Sequence, residues 1–149
     1  MVGGTLAAMP PATTPSALDA ALARVGDRWA LLVVDALLGG PRRFGDLQRA
    51  VQGIATNVLS ARLRQLEREG VVVARPYSQR PPRAAYELTG AGIELGGALR
   101  LLAEWGAGAG GEAEPLRHPA CGTALEARWY CPTCARTVDD HESEGLRYL

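Results

Sequence analysis

Phe44-Gly45-Asp46-Leu47-Gln48-Arg49-Ala50-Val51-Gln52-Gly53-Ile54-Ala55-Thr56-Asn57-Val58-Leu59-Ser60-Ala61-Arg62-Leu63-Arg64-Gln65-Leu66-Glu67-Arg68-Glu69-Gly70 is the stretch that decides the fold. Phe44, Leu47 and Val51 recur at i, i+3, i+7, so 44–51 reads as a short helix with one apolar face. Gln52-Gly53-Ile54-Ala55 reads as a turn. A second helix follows over 56–69, with Leu59, Leu63 and Leu66 on one stripe and Asn57, Ala61, Arg64 and Arg68 on the other. Gly70 suits a left-handed helix end. Two short amphipathic helices joined by a glycine-containing turn, the second with a polar and basic outer face, make a helix-turn-helix.

Outward from this centre the pattern continues. Ser16 can cap a helix carrying Leu18, Leu22 and Val25, which Gly26 ends. Asp27 caps a helix over 28–38 that is apolar around most of its circumference, through Trp29, Leu31, Leu32, Val33, Val34, Ala36 and Leu37, and so belongs at the centre of the core. Gly39-Gly40-Pro41 stops it. Beyond Gly70, the β-branched run from Val71 to Tyr77 and the segment from Arg83 to Leu88 flank Ser78-Gln79-Arg80-Pro81-Pro82, which predicts a β-hairpin with Arg80 at its tip and Arg75 and Arg83 nearby. Pro76 has no N–H for a ladder, so the hairpin is expected at a sheet edge, projecting as a wing. Thr89 can cap a last helix over 90–105 that Gly90, Gly92, Gly96 and Gly97 weaken, and such a helix needs a partner surface.

The chain has 149 residues, enough for one core and a small satellite and too few for a large catalytic fold. The expected organisation is a disordered tail at 1–15, the winged domain at 16–105, a Gly/Ala linker at 106–116 and a Cys/His tail at 117–149. With no apolar run of membrane-spanning length and no secretory signal pattern, the expected location is the cytoplasm. Formal charge is zero, with 16 basic residues against 16 acidic ones, yet 40–83 holds 9 Arg against 3 acids, or +6. A basic segment in a neutral chain is the footprint of a polyanion binder.

These residues resemble the HxlR-type winged-helix transcriptional regulators, relatives of the MarR group. The resemblance is carried by Gly26-Asp27-Arg28-Trp29 through Leu38, Gly40 through Leu47, Gly53-Ile54 through Glu67, and Arg80-Pro81-Pro82-Arg83-Ala84-Ala85-Tyr86-Glu87-Leu88-Thr89, in family order over about 17–105. It implies a homodimer paired through its N- and C-terminal helices, with the 56–69 helix in the major groove of duplex DNA and the 71–88 hairpin at the neighbouring minor groove. A small-molecule effector at the dimer interface is compatible with it, although no residue identifies one. Two departures stand out. Ala55 occupies the position commonly given to Ser before the recognition helix, so the cap is expected to shift to Thr56. No Cys precedes Cys121, so sensing by an N-terminal thiol is not inherited.

Arg42 and Arg43, at the start of the first of the two helices, and Arg75, Arg80 and Arg83 on the wing are the phosphate or minor-groove candidates. Base reading falls to Thr56, Asn57, Ser60, Ala61 and Arg64, because Asn pairs with adenine N6/N7, Arg with guanine O6/N7, and Ala meets the thymine methyl. Arg62 lies to the side, placed to hold backbone or an internal acid. Helix periodicity by itself fits a solvated basic face equally well. Trp29, Phe44, Tyr86 and Trp105 read as core packing rather than a ligand box.

The tail carries His118-Pro119-Ala120-Cys121-Gly122 and, after eight intervening residues, Cys131-Pro132-Thr133-Cys134. All three cysteines fall there, which argues for thiols or metal ligands over a disulfide framework. Two-residue spacing points paired ligands at one ion, so His118, Cys121, Cys131 and Cys134 are the metal candidates of a structural zinc ribbon over about 117–138. A ribbon without metal, a thiol pair at Cys131 and Cys134, or His141 as fourth ligand are the competing readings. Both histidines lie in this tail, so no imidazole in the core can activate a serine, and no catalytic residue is assigned. The expected fold is thus mainly α with a small β wing (α+β), a winged helix-turn-helix with a zinc-ribbon-like tail. A protein-interaction module using the wing and tail is the alternative to a DNA-binding regulator.

Overall fold

The computed structural model describes residues 15–108, 116–139 and 142. The predicted disordered tail falls almost wholly outside these residues, as do most of the linker and His141. In chain order the elements are α1 (Ala17–Val25), α2 (Arg28–Leu38), β1 (Arg42–Arg43), α3 (Phe44–Ala50), α4 (Thr56–Arg68), β2 (Val72–Gln79), β3 (Pro82–Leu88), α5 (Gly90–Gly108), β4 (Tyr130–Cys131) and β5 (Arg136–Thr137). Two units are distinguished, dividing between Leu99 and Arg100 within α5. No helix among the described residues is long and apolar enough to cross a membrane.

Local chemistry sets the helix starts. Ser16 Oγ accepts the Asp19 amide at 3.1 Å, and Asp27 Oδ1 accepts that of Ala30 at 2.8 Å, so both expected caps form. Thr56 does not act as one: it is the first helical residue of α4, and the cap position belongs to Ala55, which has no side-chain acceptor. Gly53 and Gly70 take φ of +81° and +68°, ending the turn and the helix as their lack of a Cβ allows.

The core of the first unit is the meeting of α2, α3 and α4. Ala30, Val33, Val34 and Leu37 of α2 are buried against Leu47, Leu59, Leu63 and Leu66, with Val71 and Val72 closing one end. Burying a side chain of this size contributes roughly 1.5–3 kcal/mol, so the apolar stripes of the two short helices are what hold them at a fixed angle. The α1 helix is tied on by polar contacts: Arg24 donates to the Glu69 carboxylate at 2.9 Å and to the Glu69 carbonyl at 2.8 Å, while Gln65 donates to the Arg24 carbonyl at 3.0 Å.

The wing is a three-stranded antiparallel sheet in the order β1-β3-β2, not a two-stranded hairpin. Arg42 and Arg43, expected to open the α3 helix, instead pair with Tyr86 and Ala85 as a short third strand. Strand β2 is an edge, and its ladder is irregular between Pro76 and Ser78, where the proline has no amide to give. Two α5 glycines explain the helix's composition. A Cβ on Gly92 would collide with the Val71 carbonyl, and one on Gly96 would come within 2.7 Å of Leu38 Cδ2, so the helix packs where only glycine fits. Thr89 caps it, its Oγ1 accepting the Gly92 amide at 3.2 Å and donating to the Gly70 carbonyl at 2.5 Å. Trp105 does not join a core; it is 76% exposed.

The C-terminal segment, 116–139, folds into two tight turns, one closed by the bridge of Arg117 with Ala124 and one by the β4–β5 pair.

Candidate nucleic-acid interface

Burial of Leu59, Leu63 and Leu66 fixes the rotation of α4, and the opposite face is then outward by geometry. Asn57, Ala61, Arg64 and Arg68 are all exposed along that face, at the i, i+4, i+7, i+11 spacing of one stripe. Arg62, two residues from Arg64, turns the other way and forms an ion pair with the Asp27 carboxylate that also caps α2, while donating to Gln65 Oε1 at 3.2 Å. The helix is therefore anchored by one arginine and leaves others free.

The same sorting applies to every arginine between 40 and 83. Arg49 pairs with Asp46, and Arg75 donates to the Glu87 carboxylate at 2.6 Å. Arg42 departs furthest from its expected role: half-buried, it donates from Nε to the Ala36 carbonyl at 2.6 Å, satisfying the end of α2 rather than standing out as a phosphate arm. Arg43 is exposed and lies with its guanidinium 4.7 Å from the centre of the Tyr77 ring, which orients it without neutralising it. Arg64, Arg68, Arg80 and Arg83 are exposed and make no hydrogen bond or ion pair among the described residues. These four lie on two elements only, the outer face of α4 and the hairpin tip. Arg68 joins the candidate contacts beyond those that the sequence suggests, and its place four residues after Arg64 is the signal for it.

Two candidate base readers are partly committed to the helix. Thr56 Oγ1 accepts from Gln48 Nε2 at 2.8 Å, joining α3 to α4, and Ser60 Oγ donates to the Thr56 carbonyl at 2.9 Å. Ser60 keeps only acceptor capacity, whereas Thr56 keeps its hydroxyl proton to donate. Tyr86 sits behind the face on β3, half-buried. Its burial pushes the phenol pKa up, the Glu67 carboxylate adds to this, and the Arg64 guanidinium opposes it. Arg64 is thus electrostatically linked to the wing sheet.

In the tail, His118 Nδ1 lies 3.3 Å from Cys121 Sγ. Hydrogen bonds from the Thr123 hydroxyl and amide lower the Cys121 pKa, hydrogen bonds from Cys134 and the Thr133 amide lower that of Cys131, and the Cys131 thiol raises that of Cys134. Among the described residues no three Cys, His, Asp or Glu side chains are gathered into a group able to hold an ion.

The model of the HxlR-like helix-turn-helix family matches residues 24–114. The HTH-type transcriptional regulator Rv3095 of Mycobacterium tuberculosis is 39% identical over 136 residues, covering 85% of both chains. The HTH-type transcriptional regulator YtcD of Bacillus subtilis is 36% identical over 90 residues, 60% of this chain and 71% of that one. Among solved structures, a crystal structure of the HTH-type transcriptional regulator ytcD superposes with a TM-score of 0.59 at 35% identity, covering 64% of this chain and 97% of that one. A MarR-family regulator from Enterococcus faecalis V583 gives 0.55 at 36% identity, covering 66% and 93%.

Proposed function

The chain belongs to the HxlR-like helix-turn-helix family, and we propose that it binds duplex DNA as a homodimer, with α4 in the major groove and the β2–β3 hairpin at the adjacent minor groove. It is a transcriptional regulator of the winged helix-turn-helix type. The observation that carries the proposed geometry is the placement of the unpaired arginines. Folding neutralises or ties down Arg42, Arg49, Arg62 and Arg75 and leaves Arg64, Arg68, Arg80 and Arg83 bare on the two elements that a winged helix turns to DNA.

Roles follow from position. Asn57, Ala61 and Arg64 face the base edges, with Thr56 as a supporting donor and Ser60 as a supporting acceptor, while Arg68, Arg43, Arg80 and Arg83 hold phosphates or the minor groove. Arg75 reaches DNA only by sharing its charge with Glu87. Pairing of two copies rests on the apolar residues left exposed on the terminal helices: Leu18 and Leu22 on α1, and Ile93, Leu101, Leu102 and Trp105 on α5. A dimer also places two α4 helices about one duplex turn apart, roughly 34 Å, and so demands a two-fold symmetric site.

Selection of bound duplexes from a random pool tests this directly. A palindromic consensus with half-sites about 10 base pairs apart is expected. Recovery of no consensus, with binding that ignores salt, would exclude groove reading.

A further inference from the structure

We propose that His118, Cys121, Cys131 and Cys134 form one structural zinc site that joins the two turns of the 116–139 segment. The segment contains the same turn twice. His118-Pro119-Ala120-Cys121-Gly122 is matched by Cys131-Pro132-Thr133-Cys134-Ala135, a ligand-type side chain followed by proline and, three residues on, by cysteine. The residue after each of those cysteines has positive φ, +71° at Gly122 and +53° at Ala135. The second is a conformation that alanine rarely takes, adopted in the position where the first turn has glycine. The closing pairs share a register too: Arg117 faces Ala124 and Tyr130 faces Thr137, seven positions apart in each case.

Each turn brings its own pair of donors together. In the first, the His118 carbonyl accepts the Cys121 and Gly122 amides at 3.3 and 2.8 Å, and Nδ1 comes to 3.3 Å from Sγ. A tetrahedral zinc ion with ordinary bonds to nitrogen and sulfur separates those two atoms by about 3.6 Å, so this pair needs to open by only a few tenths of an ångström. In the second, Cys131 stands opposite Arg136 in the β4–β5 pair and Ala135, at φ +53°, turns the chain back directly after Cys134. The two pairs are separate in the structure, and the ion is what draws them onto one centre.

Three sulfurs and an imidazole select zinc over calcium or magnesium, which take oxygen. The nearby Glu142 is already engaged, both carboxylate oxygens accepting from Arg136 at 2.8 and 3.0 Å. The segment also needs a cross-link. No residue of 116–139 is buried, and only Cys131 and Val138 are even half-buried, so no core holds the turns together. Segments this short are stabilised by metals or disulfides. A Cys131–Cys134 disulfide would close within one turn and join nothing.

The experiment uses the full chain, purified under reducing conditions without chelator, with zinc measured by elemental analysis and cobalt(II) added as a spectroscopic probe of the emptied protein. One zinc per chain and a tetrahedral, thiolate-bound cobalt spectrum are expected. Cys121→Ser, Cys131→Ser and His118→Ala should each lose the ion in a chelator challenge that leaves the parent loaded, whereas His118→Cys keeps it. Zinc-free protein with three alkylatable thiols overturns the proposal. So does a disulfide in place of metal, or an ion that survives loss of His118 or Cys121.

Discussion

Arg62 and Arg64 sit two residues apart on one helix and should fail in opposite ways. Arg64 is exposed and makes no ion pair or hydrogen bond, so Arg64→Ala should change folding stability by no more than about 0.5 kcal/mol. On DNA it removes a base contact worth about 1–3 kcal/mol, a roughly 5- to 150-fold loss in each half-site, and relaxes the base that it reads. Arg62→Ala strips the partner from Asp27 at a site where both side chains are about one-third exposed, 32% and 35%. The cost is one of folding, about 1 kcal/mol after solvent screening, with affinity of the folded protein unchanged. Thermal unfolding followed by circular dichroism and anisotropy titration of a selected duplex at two salt concentrations separate the two. An Arg64→Ala protein with unaltered affinity and base preference, or two variants that lose affinity alike, would refute the assignment of the outer α4 face to the groove.

Replacing both Arg80 and Arg83 by Ala should flatten the slope of log affinity against log salt by about 3 to 4, at about 0.9 per phosphate contact over both protomers, with base preference retained. Leu18→Glu together with Leu22→Glu should shift sedimentation from dimer to monomer and weaken operator binding, since each half-site is then held alone. Gly97, whose added Cβ meets nothing within 4 Å, should gain up to about 1 kcal/mol as Ala, while Gly92→Ala should lose about 1–3 kcal/mol against the Val71 carbonyl, both read from denaturant midpoints. Because burial raises the Tyr86 pKa above its unfolded value near 10, its contribution to stability is fully present below that pH and is lost as pH rises through the folded value. Tyr86→Phe should therefore blunt the alkaline loss of stability, and Arg64→Ala should move the tyrosinate absorbance titration to still higher pH.

The stripes of α2, α3 and α4, the caps at Ser16 and Asp27, the glycines at 53 and 70 and the edge-strand proline at 76 were all legible along the chain. Each depends on neighbours within a turn or two, which spacing records. The outward face of α4 was legible for the same reason: once Leu59, Leu63 and Leu66 are inside, 100° per residue leaves Asn57, Ala61, Arg64 and Arg68 outside.

Charge partners were not legible, because they are chosen across the fold. Arg42 was read as a phosphate arm and is consumed by the Ala36 carbonyl; Arg75 is shared with Glu87; the pairing of Arg42 and Arg43 with Tyr86 and Ala85 makes a third strand that two residues cannot announce. Trp105 was assigned to a core by its apolar character, but that character cannot tell a core from an exposed face. Sequence alone settled the helices, their apolar faces and the basic character of the surface, because periodicity and composition are properties of neighbouring residues. Which arginines stay unpaired, and that the two tail motifs share a backbone turn and a closing register, were decided only in three dimensions, where side chains distant in the chain compete for the same partners and backbone pairing sets the register.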